Sequence, residues 1–182
     1  MIKKGTLNEL ISTHDLKSLE QHLIYSYLSN NNLDYKQSPI LSNYFKDFGQ
    51  NTKLYFDILT LKIDTIKSLE NHLELIIPPA DRKLNGAFFT PDYIIDFIIN
   101  EVKPENGHKN LDPSCGCGAF LIGLTDYYKN ILGKSIRQTV QENIFGSDIL
   151  EYNIHRTKLM LTVFALQHGE ILKETDFNLF HQ

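Results

Sequence analysis

One stretch restricts the possible folds more than any other: Leu111-Asp112-Pro113-Ser114-Cys115-Gly116-Cys117-Gly118-Ala119-Phe120. A short segment, Asn110 to Asp112, reads as a strand ending in an acid. A turn with two glycines then feeds a helical pattern from Ala119 to about Leu132. Strand, glycine turn and helix in this order belong to open parallel sheets, whose ligands bind beyond the carboxyl ends of the strands. Gly116 and Gly118 permit a sharp turn and a close approach of backbone to ligand. Further on, Asn143 to Asp148 reads as a second strand and Leu150 to about Gln167 as a helix, with Gly169 as its C-cap. Phe177 to His181 reads as a third strand. Strands alternating with helices predict right-handed crossovers and a parallel sheet.

The turn does not suit every ligand. A dinucleotide fingerprint needs a third glycine where Leu121 stands, and a Walker-type loop needs a Gly-Lys-Ser/Thr that does not follow. Asp112 at the mouth of the turn suits a cationic ligand, because a carboxylate can hold an ammonium group. Phe145-Gly146-Ser147-Asp148 puts a second acid at the end of the next strand. There it is placed to accept both hydroxyls of a ribose, or it is an ordinary surface carboxylate. Gly86-Ala87-Phe88-Phe89-Thr90-Pro91 opens a helix running to about Val102, with Thr90 as N-cap and Pro91 at the first helical position. Taken alone, that motif reads as a well-capped helix with two core phenylalanines.

The first 80 residues read as helices. Thr13 is the expected cap of a helix carrying Leu16, Leu19, Leu23 and Tyr27 on one face, stopped by Asn30-Asn31-Asn32. Pro39 opens a short helix through Phe45 that ends at Gly49. One long helical stripe follows, Phe56, Leu59, Ile63, Ile66, Leu73 and Ile77, with Glu70 as its single break. The stripe requires a partner helix, from its own domain or from another chain. Pro78-Pro79 ends it, and residues 80–86 read as a linker. The expected domains are therefore a helical one over 1–80 and a partial Rossmann-like one over 81–182, an α/β fold.

Charge argues against an autonomous DNA-binding module. Residues 1–80 hold 8 Lys against 9 acids, and the remainder 10 basic residues against 13 acids. Any nucleic-acid contact then needs a local patch or another polypeptide. Two cysteines make neither a disulfide scaffold nor a four-cysteine zinc site. Cys115 and Cys117 lack further ligands beyond His108, so they read as small turn residues and no metal is assigned. With no apolar run of membrane length and no leader-like start, the expected location is cytoplasmic.

Taken together, the three motifs resemble the N6-adenine-specific DNA methyltransferases of restriction–modification systems. That family has Gly-x-Phe-x-Thr-Pro, then Asp-Pro-x-x-Gly-x-Gly-x-Phe, then an acid after the second strand. Here they stand at Gly86 to Pro91, Asp112 to Phe120 and Gly146 to Ile149. The resemblance covers roughly residues 80–182. It implies S-adenosyl-L-methionine as cofactor. Phe89, Thr90 and Pro91, at the start of their helix, would hold the methionine carboxylate, and Asp112 the ammonium. Pro113, Ser114, Cys115, Gly116 and Gly118 would form the pocket floor, Asp148 would bind the ribose and Ile149 the adenine ring. Two positions depart from the pattern: Cys117 where Ser or Thr is commoner, and Leu150-Glu151 in place of a frequent Asp-Pro. The family's catalytic Asn/Asp-Pro-Pro-Tyr/Phe does not occur in this sequence, so no catalytic residue is assigned. The expectation is a cofactor-binding portion, inactive alone, whose partners are DNA, a complementing methyltransferase fragment, and a specificity or restriction subunit. Two other readings stay open: a non-catalytic interaction module with a vestigial cofactor site, and a methyltransferase of another substrate class.

Overall fold

The computed structural model describes residues 4–77 and 90–182, with side chains from Leu7 onward. The expected domain boundary at 80–81, and Gly86, Phe88 and Phe89, lie outside the described residues. Contacts group residues 1–36 with 41–88 as one compact unit, and 37–40 with 89–182 as another.

In the first unit, α1 (Lys4–Thr13) is followed by α2 (Leu16–Asn30), whose cap is Asp15 rather than Thr13. The Asp15 carboxylate accepts the Ser18 N–H at 2.8 Å, and Thr13 instead ends α1. Next along the chain come α3 (Pro39–Tyr44), whose first two residues group with the second unit, then α4 (Thr52–Leu59) and α5 (Ile66–Leu75). The long stripe expected from Phe56 to Ile77 is thus two helices. Lys62 at φ 54° leaves the helical path, and Thr65 caps α5 by accepting the Ser68 N–H at 3.0 Å. The asparagine run also holds this break, with Asn30 donating to Ile63 O at 3.3 Å and Asn31 to Asp64 O at 3.4 Å. Leu54, Ile58, Ile63, Leu69, Leu73 and Ile76 are all buried, and α2 packs against both α4 and α5. Phe56 falls outside this seam, at 61% exposure. Glu70, expected to interrupt the stripe, is buried and paired with Lys67 at 3.0 Å.

His22 is buried beneath this packing and joins α2 to the start of α4. Its Nδ1 lies 2.7 Å from Ser18 O, and its Nε2 accepts the N–H of Asn51, the α4 cap, at 2.9 Å. An accepting Nε2 requires the neutral ring, with the proton on Nδ1. Burial holds the pKa below the usual 6.5. The unfolded chain therefore takes up this proton at higher pH than the folded one. The histidine's contribution to stability is complete above about pH 6.5 and is lost as pH falls through the lower, folded value. His72, also buried and bonded to Ser68 O at 2.6 Å, has the same sign. Urea midpoints should fall between pH 7 and 5, and His22→Gln should flatten that slope. An unchanged slope in the variant would remove His22 as the cause.

The second unit begins with α6 (Asp92–Val102), β1 (Asn110–Asp112) and α7 (Ala119–Asn130). It continues with α8 (Ile136–Glu142), β2 (Ile144–Asp148), α9 (Glu151–Gln167) and β3 (Leu179–His181). The strands form one parallel sheet in the order β1-β2-β3, as the alternating pattern predicts. Register pairs Leu111 with Phe145, Asp112 with Gly146, and Asp148 with His181. Helix α6 lies tight on α7: a Cβ on Gly123 would stand 2.8 Å from Ile95 Cγ2. The amino ends of the strands are tied by side-chain amides. Asn143 donates to the carbonyls of Asn106 and His108, and Asn178 to those of Val140, Gln141 and Ile144. The Tyr128 hydroxyl donates to Glu105 O at 2.8 Å and accepts from Asn110.

Helix α8 has no counterpart in the sequence pattern. Its cap is Ser135, and its first N–H groups, from Ile136 and Arg137, donate to the Glu170 carboxylate at 2.9 and 3.0 Å. Asp176 lies ahead of β3, where its buried carboxylate takes Arg137 Nε at 2.9 Å and Lys173 N at 2.8 Å. No described helix is long and apolar enough to cross a membrane.

Candidate functional site

The carboxyl ends of β1 and β2 meet at the glycine turn. Gly116 at φ 54° and Gly118 at φ 92° take the left-handed conformation, which makes the sharp turn that the sequence suggested. At Gly118 a side chain would also meet α9, since a Cβ would lie 3.0 Å from Thr157 Cγ2. The turn is bonded to β2, Cys115 N donating to Ser147 O at 3.0 Å.

Asp112 ends β1. It accepts the Ser114 N–H at 3.0 Å, which fixes the Asp-Pro-Ser corner. Burial lifts its carboxyl above the ordinary value, and the neighbouring Asp148 charge adds to the rise against the Ser114 hydrogen bond. A groove of about 350 Å³ runs past Asp112 and Pro113, walled by Ile98, Val102, Leu111 and Phe120. Thr90 and Pro91 stand immediately before α6, which starts at Asp92, one residue later than the sequence pattern suggests.

Asp148 is at the end of β2 and is only 7% exposed. Its Oδ1 accepts Leu150 N at 2.9 Å and Asn153 Nδ2 at 3.1 Å, and its Oδ2 accepts Gly116 N at 3.0 Å. It therefore fastens the glycine turn and the entry to α9 to the end of β2, a role that the sequence alone did not disclose. A carboxylate offers about four acceptor positions, and three of these are filled by N–H groups. Ile149, by contrast, is exposed at 64% beside it.

The two cysteines of the turn are buried, and Cys115 lies 3.7 Å from the Thr157 hydroxyl. Burial pushes the Cys115 thiol up to about 11, which suits a packed residue of the turn rather than a nucleophile. Asn153 and Thr157, both on α9, are the residues that sequence reasoning missed. The signal available was their position one and two turns after an acid that ends a strand.

Comparison with known proteins agrees with this geometry. Residues 76–177, more than half of the chain, match the family model of the N-6 DNA methylases. The methylase subunit of the type I restriction enzyme EcoEI of Escherichia coli is 31% identical over 116 residues, which are 59% of this chain and 23% of that protein. The type II methyltransferase M.CvrRI of Paramecium bursaria Chlorella virus XZ-6E is 35% identical over 78 residues, 42% of this chain and 20% of its own. Among solved structures, the cryo-electron microscopy structure of the DrdV–DNA complex aligns over 93% of this chain and 20% of that one. Its TM-score is 0.50 at 17% identity, a likeness of fold. The chain thus spans about a quarter or less of the length of these curated relatives. The strand ends, the glycine turn and the match across residues 76–177 together show that this chain belongs to the N-6 DNA methylase family.

Proposed function

We propose that this chain forms the S-adenosylmethionine-binding part of an adenine-N6 DNA methyltransferase of the restriction–modification kind. The observation that carries the reading is the pair Asp112 and Asp148, on the carboxyl ends of adjacent parallel strands, flanking a turn of two left-handed glycines. The residues suit the group. Asp112 is a partly desolvated carboxylate whose charge an ammonium would stabilise, and the turn that follows borders open space at Gly116, where a Cβ would meet nothing within 4 Å.

Within this reading Asp112 orients the amino acid end of the cofactor. Thr90 and Pro91, at the start of α6, lie toward its carboxylate, as helix N-termini favour anions. Asp148 has one acceptor position left, on Oδ2, and so takes one ribose hydroxyl rather than two unless it releases Gly116. Exposed Ile149 offers an apolar surface to the adenine ring. Bound S-adenosylmethionine supplies an activated methyl group on its sulfonium. The residues described here hold and orient it, and none is assigned to the transfer. Its partners in this role are DNA and a further subunit, in keeping with relatives named as a methylase subunit of a restriction enzyme and as a complex with DNA.

Calorimetric titration with S-adenosylmethionine tests it. The chain should bind in the micromolar range, and Asp112→Ala should weaken binding by about thirtyfold, as expected for a lost charge-assisted hydrogen bond. A chain shown by circular dichroism to be folded that takes up no cofactor would overturn the reading.

A further inference from the structure

We propose that Thr157 is a positioning residue for the glycine turn, and that its hydroxyl fixes the turn in the shape that receives the cofactor. The second half of that statement rests on the function proposed above; the first does not. Thr157 is wholly buried on α9. Other buried threonines in this unit return their hydroxyl to their own helix: Thr125 to Leu121 O, Thr139 to Ser135 O, and Thr162 to Lys158 O. Thr157 instead reaches across 41 residues to donate to Gly116 O at 2.8 Å.

The consequence is that Gly116 is held from both sides. Its N–H is taken by Asp148 at the end of β2, and its carbonyl by Thr157 on α9. A left-handed glycine costs the most conformational entropy to order, so two external hydrogen bonds on one such residue are the means by which a single turn geometry is selected. The other branch of Thr157 acts separately. Its Cγ2 fills the space beside Gly118, at 3.0 Å from where a Cβ would be. Only a threonine supplies both the hydroxyl and the methyl. Valine would keep the shape and orphan the Gly116 carbonyl; serine would keep the hydroxyl and lose the methyl.

Three variants test this, each read by two measurements. Cys115 lies in the turn, so the rate at which iodoacetamide labels it in the native protein reports opening of the turn without any cofactor. The second measurement is the affinity for S-adenosylmethionine. Thr157→Val should label about tenfold faster than wild type and bind about tenfold more weakly, the size expected for one orphaned buried carbonyl. Thr157→Ser should stay within about twofold on both. Thr157→Ala gives the same comparison with serine should the valine variant not fold. Val163→Ala, at a buried site on the same helix, controls for a general loss of stability measured in urea. Equal labelling of the valine and serine variants overturns the assignment to Thr157. A separation in labelling with no cofactor binding by folded wild type keeps Thr157 as the clamp of the turn and discards the cofactor reading.

Discussion

Valine at position 146 should unfold the sheet-bearing unit. Gly146 lies in the middle of β2, where a Cβ would stand 2.7 Å from Leu121 Cδ1, 2.9 Å from Leu179 Cδ2 and 3.3 Å from Cys115 Sγ. The first two neighbours come from α7 and from β3, and the third from the glycine turn. No single side chain can therefore yield without disturbing the other contacts. Alanine should cost about 1–3 kcal/mol by overpacking, and valine, with two more carbons in the same space, more than that. Urea denaturation followed by circular dichroism measures both. A valine variant with the wild-type midpoint would show that the layer between sheet and helices is looser than these distances imply.

Removing the carboxylate of Asp148 should be the second large effect. Asp148→Ala orphans the N–H groups of Gly116 and Leu150 and the amide of Asn153 in a buried place. Each such donor costs about 1–3 kcal/mol, so a loss on the order of 3 kcal/mol is expected even after partial relaxation or entry of water. Asn at this position should fall between, because its NH₂ must face one of the N–H groups. Amide hydrogen exchange separates this from a general weakening. The Gly116 and Leu150 amides should exchange faster than global unfolding allows, while those inside α9 follow it. Equal protection at all these amides would mean that the carboxylate does not fasten the turn.

The sequence disclosed the parts of the site that local chemistry dictates. A strand ending in an acid, two glycines and a helix start are written in consecutive residues, and the two glycines make the sharp turn expected of them, with left-handed backbone. The sheet likewise follows from strands alternating with helices. What stayed hidden depends on partners distant in the chain. Helix α8 has only seven residues and draws part of its start from Glu170, more than 30 residues on. The helical stripe after Phe56 is broken by Lys62 and Thr65, whose turn and cap outweigh a continuous apolar periodicity, and Asn30 and Asn31 at the end of α2 seal the gap. Asp148 and Thr157 were unreadable as a pair of clamps because a carboxylate at a strand end and a threonine in a helix look the same whatever they touch.

The asparagine ties at the amino ends of the strands have a mechanical consequence. Asn143 closes two carbonyls of the loop before β1, Asn178 those of the end of α8 and the start of β2, and Tyr128 joins α7 to the loop before β1. That end of the sheet is a floor pinned at many points. At the opposite rim, Gly116 is held by two side chains, Asp148 and Thr157, and the Pro113-Ser114 corner before it by two more, Asp112 and Ser147. A ligand arriving at the rim meets a turn whose shape is set by bonds separate from those of the floor, so an adjustment there need not propagate into the layer below. Relaxation-dispersion NMR should find its microsecond-to-millisecond exchange at residues 114–118 and 148–153, with residues 106–110 and 143 silent.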